Sequence, residues 1–177
     1  MIEKTSRIPL YILSNRPSVR IARIAIFTSL AIVGSLIRLD PANSIAFDSF
    51  AGFFVALYFG AFEGAAVCGF GHLATAVISG FPFGLLHIPI TLGMALAGAA
   101  IGLANKFNRL AFIPALTIGV AINTVLVFPL TPFLGGATLN EGFIIAVGIA
   151  PGLLIVAALN AALAGMVYFA LRGKPKA

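Results

Sequence analysis

Few side chains in this sequence can do polar chemistry, and most of them lie in or beside long apolar runs. His72 sits in Gly69-Phe70-Gly71-His72, and His87 follows Ser79-Gly80-Phe81-Pro82-Phe83-Gly84-Leu85-Leu86. Asn123 and Asn160 lie within apolar stretches, and Asp48 opens another. An ionisable or amide group in such a setting either bonds a neighbouring helix or faces a ligand, because a buried polar group without a partner is costly. His72 precedes the Gly80–Gly84 turn by about two helical turns, roughly 12 Å, and His87 follows it by about one. Antiparallel packing across that turn would bring both imidazoles to one cavity wall. Two histidines fall short of the three or four ligands a metal site wants, so no metal is expected. Asp48 has two roles open to it: capping the helix it begins, or contacting a ligand. Phe81 offers an aromatic face.

Reactive constellations are missing. The sequence has no Gly-rich nucleotide loop, no His-Glu-x-x-His, no Gly-x-Ser-x-Gly and no intramembrane pair of acids. No catalytic residue, no cofactor and no built-in energy source are therefore expected. Cys68, the single cysteine, lies in an apolar run and cannot form an internal disulfide.

The elements that position these groups follow from composition. Of 177 residues, 60% are hydrophobic and 9% charged, with a mean hydropathy of +1.11. A soluble domain carries about 25% charged residues, so the chain reads as an all-α integral membrane protein in a lipid bilayer. Spans are expected at about 21–37, 47–59, 65–78, 85–103, 110–130 and 143–171, six in all, with Pro151 inside the last. The organisation expected is a basic interfacial tail (1–20), a six-helix domain (21–172) and a short basic tail (173–177). The second and third spans are short, as segments lining a binding site often are.

The net charge of +6 and pI near 10.1 are better explained by topology than by nucleic acid. With cytoplasmic termini, ten basic residues fall inside (Lys4, Arg7, Arg16, Arg20, Arg23, Lys106, Arg109, Arg172, Lys174 and Lys176), and only Arg38 falls outside. That bias fits six spans with both ends in the cytoplasm. Glu63, in the inner turn Gly60–Gly64, reads as an exposed charge. Gly60-x-x-x-Gly64, Gly98-x-x-x-Gly102 and Gly148-x-x-x-Gly152 permit close helix approach. Small residues also recur four apart in the first span, as Ala25-x-x-x-Ser29 and Ala31-x-x-x-Ser35. Either pair could receive another helix.

The segments Phe47-Asp48-Ser49-Phe50-Ala51-Gly52-Phe53, Gly60-Ala61-Phe62-Glu63-Gly64, Gly71-His72-Leu73-Ala74-Thr75-Ala76 and Ser79 to His87 together resemble the substrate-binding S components of energy-coupling factor (ECF) transporters. The resemblance covers about residues 20–172, and Gly-His-Leu and Gly-Phe-Pro are its more specific parts. It implies a six-helix prokaryotic cell-membrane protein that captures a vitamin or vitamin precursor outside the cell. Its partners would be a membrane T component and two cytoplasmic ATPases, whose ATP hydrolysis drives release inward. Within the family the segments most resemble the branch for cobalamin precursors such as α-ribazole. Riboflavin, thiamin, biotin, folate, pantothenate and queuosine-precursor relatives share the architecture. The family docks on the T component through Ala-x-x-x-Ala in its first helix, and the nearest match here is Ala25-x-x-x-Ser29. The site expected from the residues gathers Asp48, His72, Phe81, His87, Asn123 and Asn160 in an outward-facing cavity. A small channel or scaffold is the alternative class.

Overall fold

A computed structural model describes residues 16–38, 45–106, 111–126, 128–129 and 138–172. Residues 1–15 of the expected tail, 39–44 of the first loop, 107–110, 127, 130–137 of the expected third outer loop and the C-terminal tail (173–177) lie outside the described residues.

Among the described residues six α-helices form an apolar bundle: α1 (Pro17–Gly34), α2 (Ser49–Tyr58), α3 (Ala61–Ile78), α4 (His87–Ala104), α5 (Phe112–Val125) and α6 (Leu139–Arg172). Among the described residues, extended pairing is limited to an isolated bridge between Arg38 and Ala46. Four of the described segments are long and apolar enough to cross a membrane: Pro17–Gly34, Ala61–Ile78, Gly84–Ala104 and Leu139–Leu171. Large apolar side chains such as Ile21, Leu85, Leu92 and Ile144 point outward, a surface that suits lipid and would be an extensive sticky patch in water.

The shortest helix is the central one. With 10 residues, α2 is about 15 Å long, half the thickness of a bilayer's hydrocarbon core. It touches each of the other five described helices and buries almost its whole length, including Phe53, Val55 and Leu57. Helix ends at that depth cannot rely on water, so protein must satisfy them. Asn160 of α6 does this at the start, its Oδ1 accepting from the Phe50 amide at 2.8 Å. Asn105, which ends α4, does it at the finish, donating to the Leu57 carbonyl at 2.9 Å.

Close approach sets the α3–α4 pair. A Cβ on Gly98 would strike the Gly64 backbone, and one on Gly102 would strike the Ala61 backbone. The Gly98/Gly102 spacing is thus used as a contact face, whereas a Cβ on Gly148 would meet nothing within 4 Å. The far end of α3 closes on Gly80, whose positive φ of 74° lets the Phe81 amide reach back to the Ala76 carbonyl (2.8 Å) and the Gly80 amide to Val77 (3.1 Å). This is the Schellman stop. Phe81 is itself left-handed at φ 53°, an uncommon state for an aromatic residue.

Helix boundaries depart from the hydropathy reading where local bonds outrank it. Pro17 opens α1, where its missing amide is harmless. α6 starts at Leu139 and runs on through Pro151. Thr138 and Glu141 form a reciprocal capping box there: the Thr138 amide donates to Glu141 Oε2 at 3.0 Å, and the Glu141 amide to Thr138 Oγ1 at 3.3 Å.

Candidate functional site

A cavity of about 70 Å³ lies at the start of α2, walled by α2, α3, α4, α5 and α6. Its polar lining is Asp48, Ser49, His72, Asn123 and Asn160. Phe83, Met94, Leu126 and Leu153 supply much of the apolar wall. Four of the six residues expected from the sequence therefore share one cavity. The other two, Phe81 and His87, stand directly behind it.

Those polar groups are not equally free. Asn160, 1% exposed, spends its carboxamide on structure. Besides accepting from Phe50, its Nδ2 donates to Val156 at 2.9 Å and to Ala46 at 3.4 Å. The cap that Asp48 was a candidate for is made by Asn160 instead. Asp48 makes no side-chain cap bond; its Oδ1 accepts from Ser49 Oγ at 2.9 Å. Its Oδ2 lies 3.9 Å from His72 Nδ1, too long for a direct hydrogen bond.

Behind His72 the histidines form a chain. His72 Nε2 and His87 Nδ1 are 3.2 Å apart. The Phe83 amide, which can only donate, points at His87 Nε2 from 3.4 Å. A neutral imidazole holds one proton, and the partners identify which nitrogen carries it. His87 Nε2 must accept, so its proton is on Nδ1 and is donated to His72 Nε2. His72 in turn carries its proton on Nδ1, which faces Asp48 and the cavity. Both rings are thus neutral in this arrangement. His87 is 2% exposed and boxed by Phe81 and Phe83, each with its ring centre 5.7 Å away. It holds His72 rather than meeting the cavity, while Phe81, 41% exposed, covers His87.

Asn123 differs from Asn160. It is half-buried, lines the cavity, and its carboxamide has no hydrogen-bond partner among the described residues. The groups left to meet a ligand are therefore Asp48 Oδ2, the His72 Nδ1–H and the Asn123 carboxamide. Sequence reasoning missed Ser49 and Phe83, although the Phe81-Pro82-Phe83 run carried a signal for the latter.

The opposite end of α2 holds a second buried carboxylate. Glu63 was expected as an exposed charge, yet it is 4% exposed. Arg23 donates to its Oε1 at 2.8 Å, and Arg20 Nε is 3.4 Å from the same oxygen. The guanidiniums also lie over aromatic rings, Arg20 over Phe62 at 4.7 Å and Arg23 over Phe59 at 4.5 Å. This cluster pins the start of α1 to the start of α3.

On α1 the two small-residue pairs separate. Ala31 and Ser35 are fully buried. Ala25 and Ser29 are exposed on the outer side, with Ser29 Oγ returned to the Ala25 carbonyl at 2.9 Å. Among the described residues no three His, Cys, Asp or Glu side chains converge as metal ligands.

No family model matches the chain, and neither a curated protein nor a solved structure does.

Proposed function

We infer that the chain is the membrane-embedded substrate-binding subunit of an ATP-driven importer of the energy-coupling factor type. It takes up a vitamin or vitamin precursor, a cobalamin-related compound such as α-ribazole being one candidate. In this reading α1–α6 are six spans of a prokaryotic cell membrane, with both termini in the cytoplasm and the cavity end outside. The observation that carries the reading is a cavity at one end of an apolar bundle that leaves Asp48 Oδ2, His72 Nδ1–H and Asn123 free for a ligand. Aromatic and aliphatic walls supply affinity and the few polar groups orientation, the usual division in small-molecule sites. At about 70 Å³ the cavity is far below the roughly 300 Å³ or more of a drug-sized site. Uptake of a vitamin-sized molecule therefore requires the lining side chains to move apart. The outward Ala25/Ser29 face offers a smooth strip for the T component.

The test is co-expression with a T component and two ATPases from a prokaryotic cell. Co-purification of all four and ATP-dependent accumulation of a vitamin-class compound are expected. A chain that passes solute without these partners is a channel and ends this reading. Cysteines introduced at Lys174 and Ala137 should label from opposite faces of the membrane; labelling from one face rules out the six-span topology.

A further inference from the structure

The cavity holds a carboxylate but no cation to match it. Its lining includes no Lys or Arg, and among the described residues no guanidinium or ammonium lies within 4 Å of Asp48. The groups facing Asp48 from packed elements are neutral: Ser49 beside it, His72 on α3 and Asn160 on α6. His72 is held neutral by the chain through His87 to the Phe83 amide. Ser49 takes up one carboxylate oxygen; the other lies 3.9 Å from His72 Nδ1, and both residues line the cavity. The remaining wall is largely aliphatic and aromatic, so the field in the cavity is set by one negative charge in apolar surroundings, where such interactions are strengthened.

We propose that the ligand of this cavity carries a cationic nitrogen, a protonated amine or a positively charged heteroaromatic ring, seated against Asp48 Oδ2, and that ligands bearing a free carboxylate or phosphate are rejected. The proposal rests on reading the cavity as the substrate site and narrows its ligand to one charge class, which sets aside an uncharged compound such as α-ribazole. A cation supplies the missing counter-charge. An anion would be brought against Asp48 with a single His72 N–H and the Asn123 carboxamide to receive it, and like charges brought together in an apolar site repel strongly. The wall then offers two roles side by side: Asp48 Oδ2 accepts from the ligand's cationic nitrogen, and His72 Nδ1–H, 3.9 Å away, donates to an acceptor on the ligand body.

The experiment uses the purified full chain in detergent and three probes of one shape: benzylammonium, benzyl alcohol and benzoate, titrated by calorimetry. Benzylammonium is expected to bind about tenfold more tightly than benzyl alcohol, the usual gain when a hydrogen bond becomes charge-assisted, and benzoate most weakly. In Asp48→Asn that preference should fall to within a few-fold, and Asp48→Glu should retain it. Equal or tighter binding of the alcohol or the benzoate by the unaltered chain overturns the proposal. So does failure of all three to bind, or a preference that survives in Asp48→Asn. The unaltered chain alone decides the question if the variant does not fold. The readout involves no partner subunit. Cation binding by a chain that assembles with no ATPase removes the transporter reading and leaves this inference standing. Assembly and uptake of an anionic compound do the reverse.

Discussion

Two buried carboxylates flank the short central helix, and they are treated in opposite ways. Glu63 meets two guanidiniums, each stacked on an aromatic ring. Asp48 meets a serine hydroxyl and a neutral imidazole. Each acid keeps one oxygen without a direct hydrogen bond, since Glu63 Oε2 is also unpartnered among the described residues. Only the Asp48 oxygen belongs to a residue lining the cavity, and only its charge lacks a cation. A buried acid with matched charge is a fastener between helices. A buried acid beside a cavity without a match is where the proposed ligand would supply the missing charge.

That contrast can be broken by substitution, and the largest effect should fall at the fastener. Glu63→Gln strands two guanidiniums against the bundle and should lower stability by about 3 kcal/mol, read from denaturant unfolding in detergent. An unchanged midpoint would show that the cluster is a surface pair of little weight. Gly98→Val comes next. Its side chain would meet the Gly64 backbone, and prying α3 from α4 should lower stability by about 2 kcal/mol. Asn160→Ala leaves the Phe50 amide unsatisfied at the start of α2 and should remove about 1–2 kcal/mol; Asn123→Ala should change stability much less, because it breaks no described bond. A larger loss at Asn123 than at Asn160 would reverse the roles assigned to the two amides. The smallest stability effect belongs to Ala25→Leu and Ser29→Leu, within about 0.5 kcal/mol for exposed positions, yet under the proposed function both should abolish assembly with a T component. Normal assembly in both variants would move the docking face elsewhere.

How much of this was legible in the sequence depended on how far apart the partners lie. An all-helical apolar chain followed from composition, and the short second helix from the distance between Asp48 and Gly60. Asp48, His72, Asn123 and Asn160 stood out because polar groups are scarce in apolar runs. What each does was hidden. Asn160 caps a helix 110 residues away, and Arg23 pairs with Glu63 across 40, so no local spacing announces either. Periodicity put Ala25 with Ser29 and Ala31 with Ser35, but could not say which pair faces outward. That depends on where α3 lies, and only packing reveals it. The His72–His87 juxtaposition was readable because a single tight turn joins their helices.

The most direct measurement is native mass spectrometry of the full chain purified from cells, unaltered and as Asp48→Asn side by side. A small-molecule adduct is expected on the unaltered chain and lost from the Asp48→Asn variant, with both equally folded. An adduct of equal abundance on both, or none on the unaltered chain even after incubation with extract of the same cells, would contradict the claim that this cavity is a substrate site.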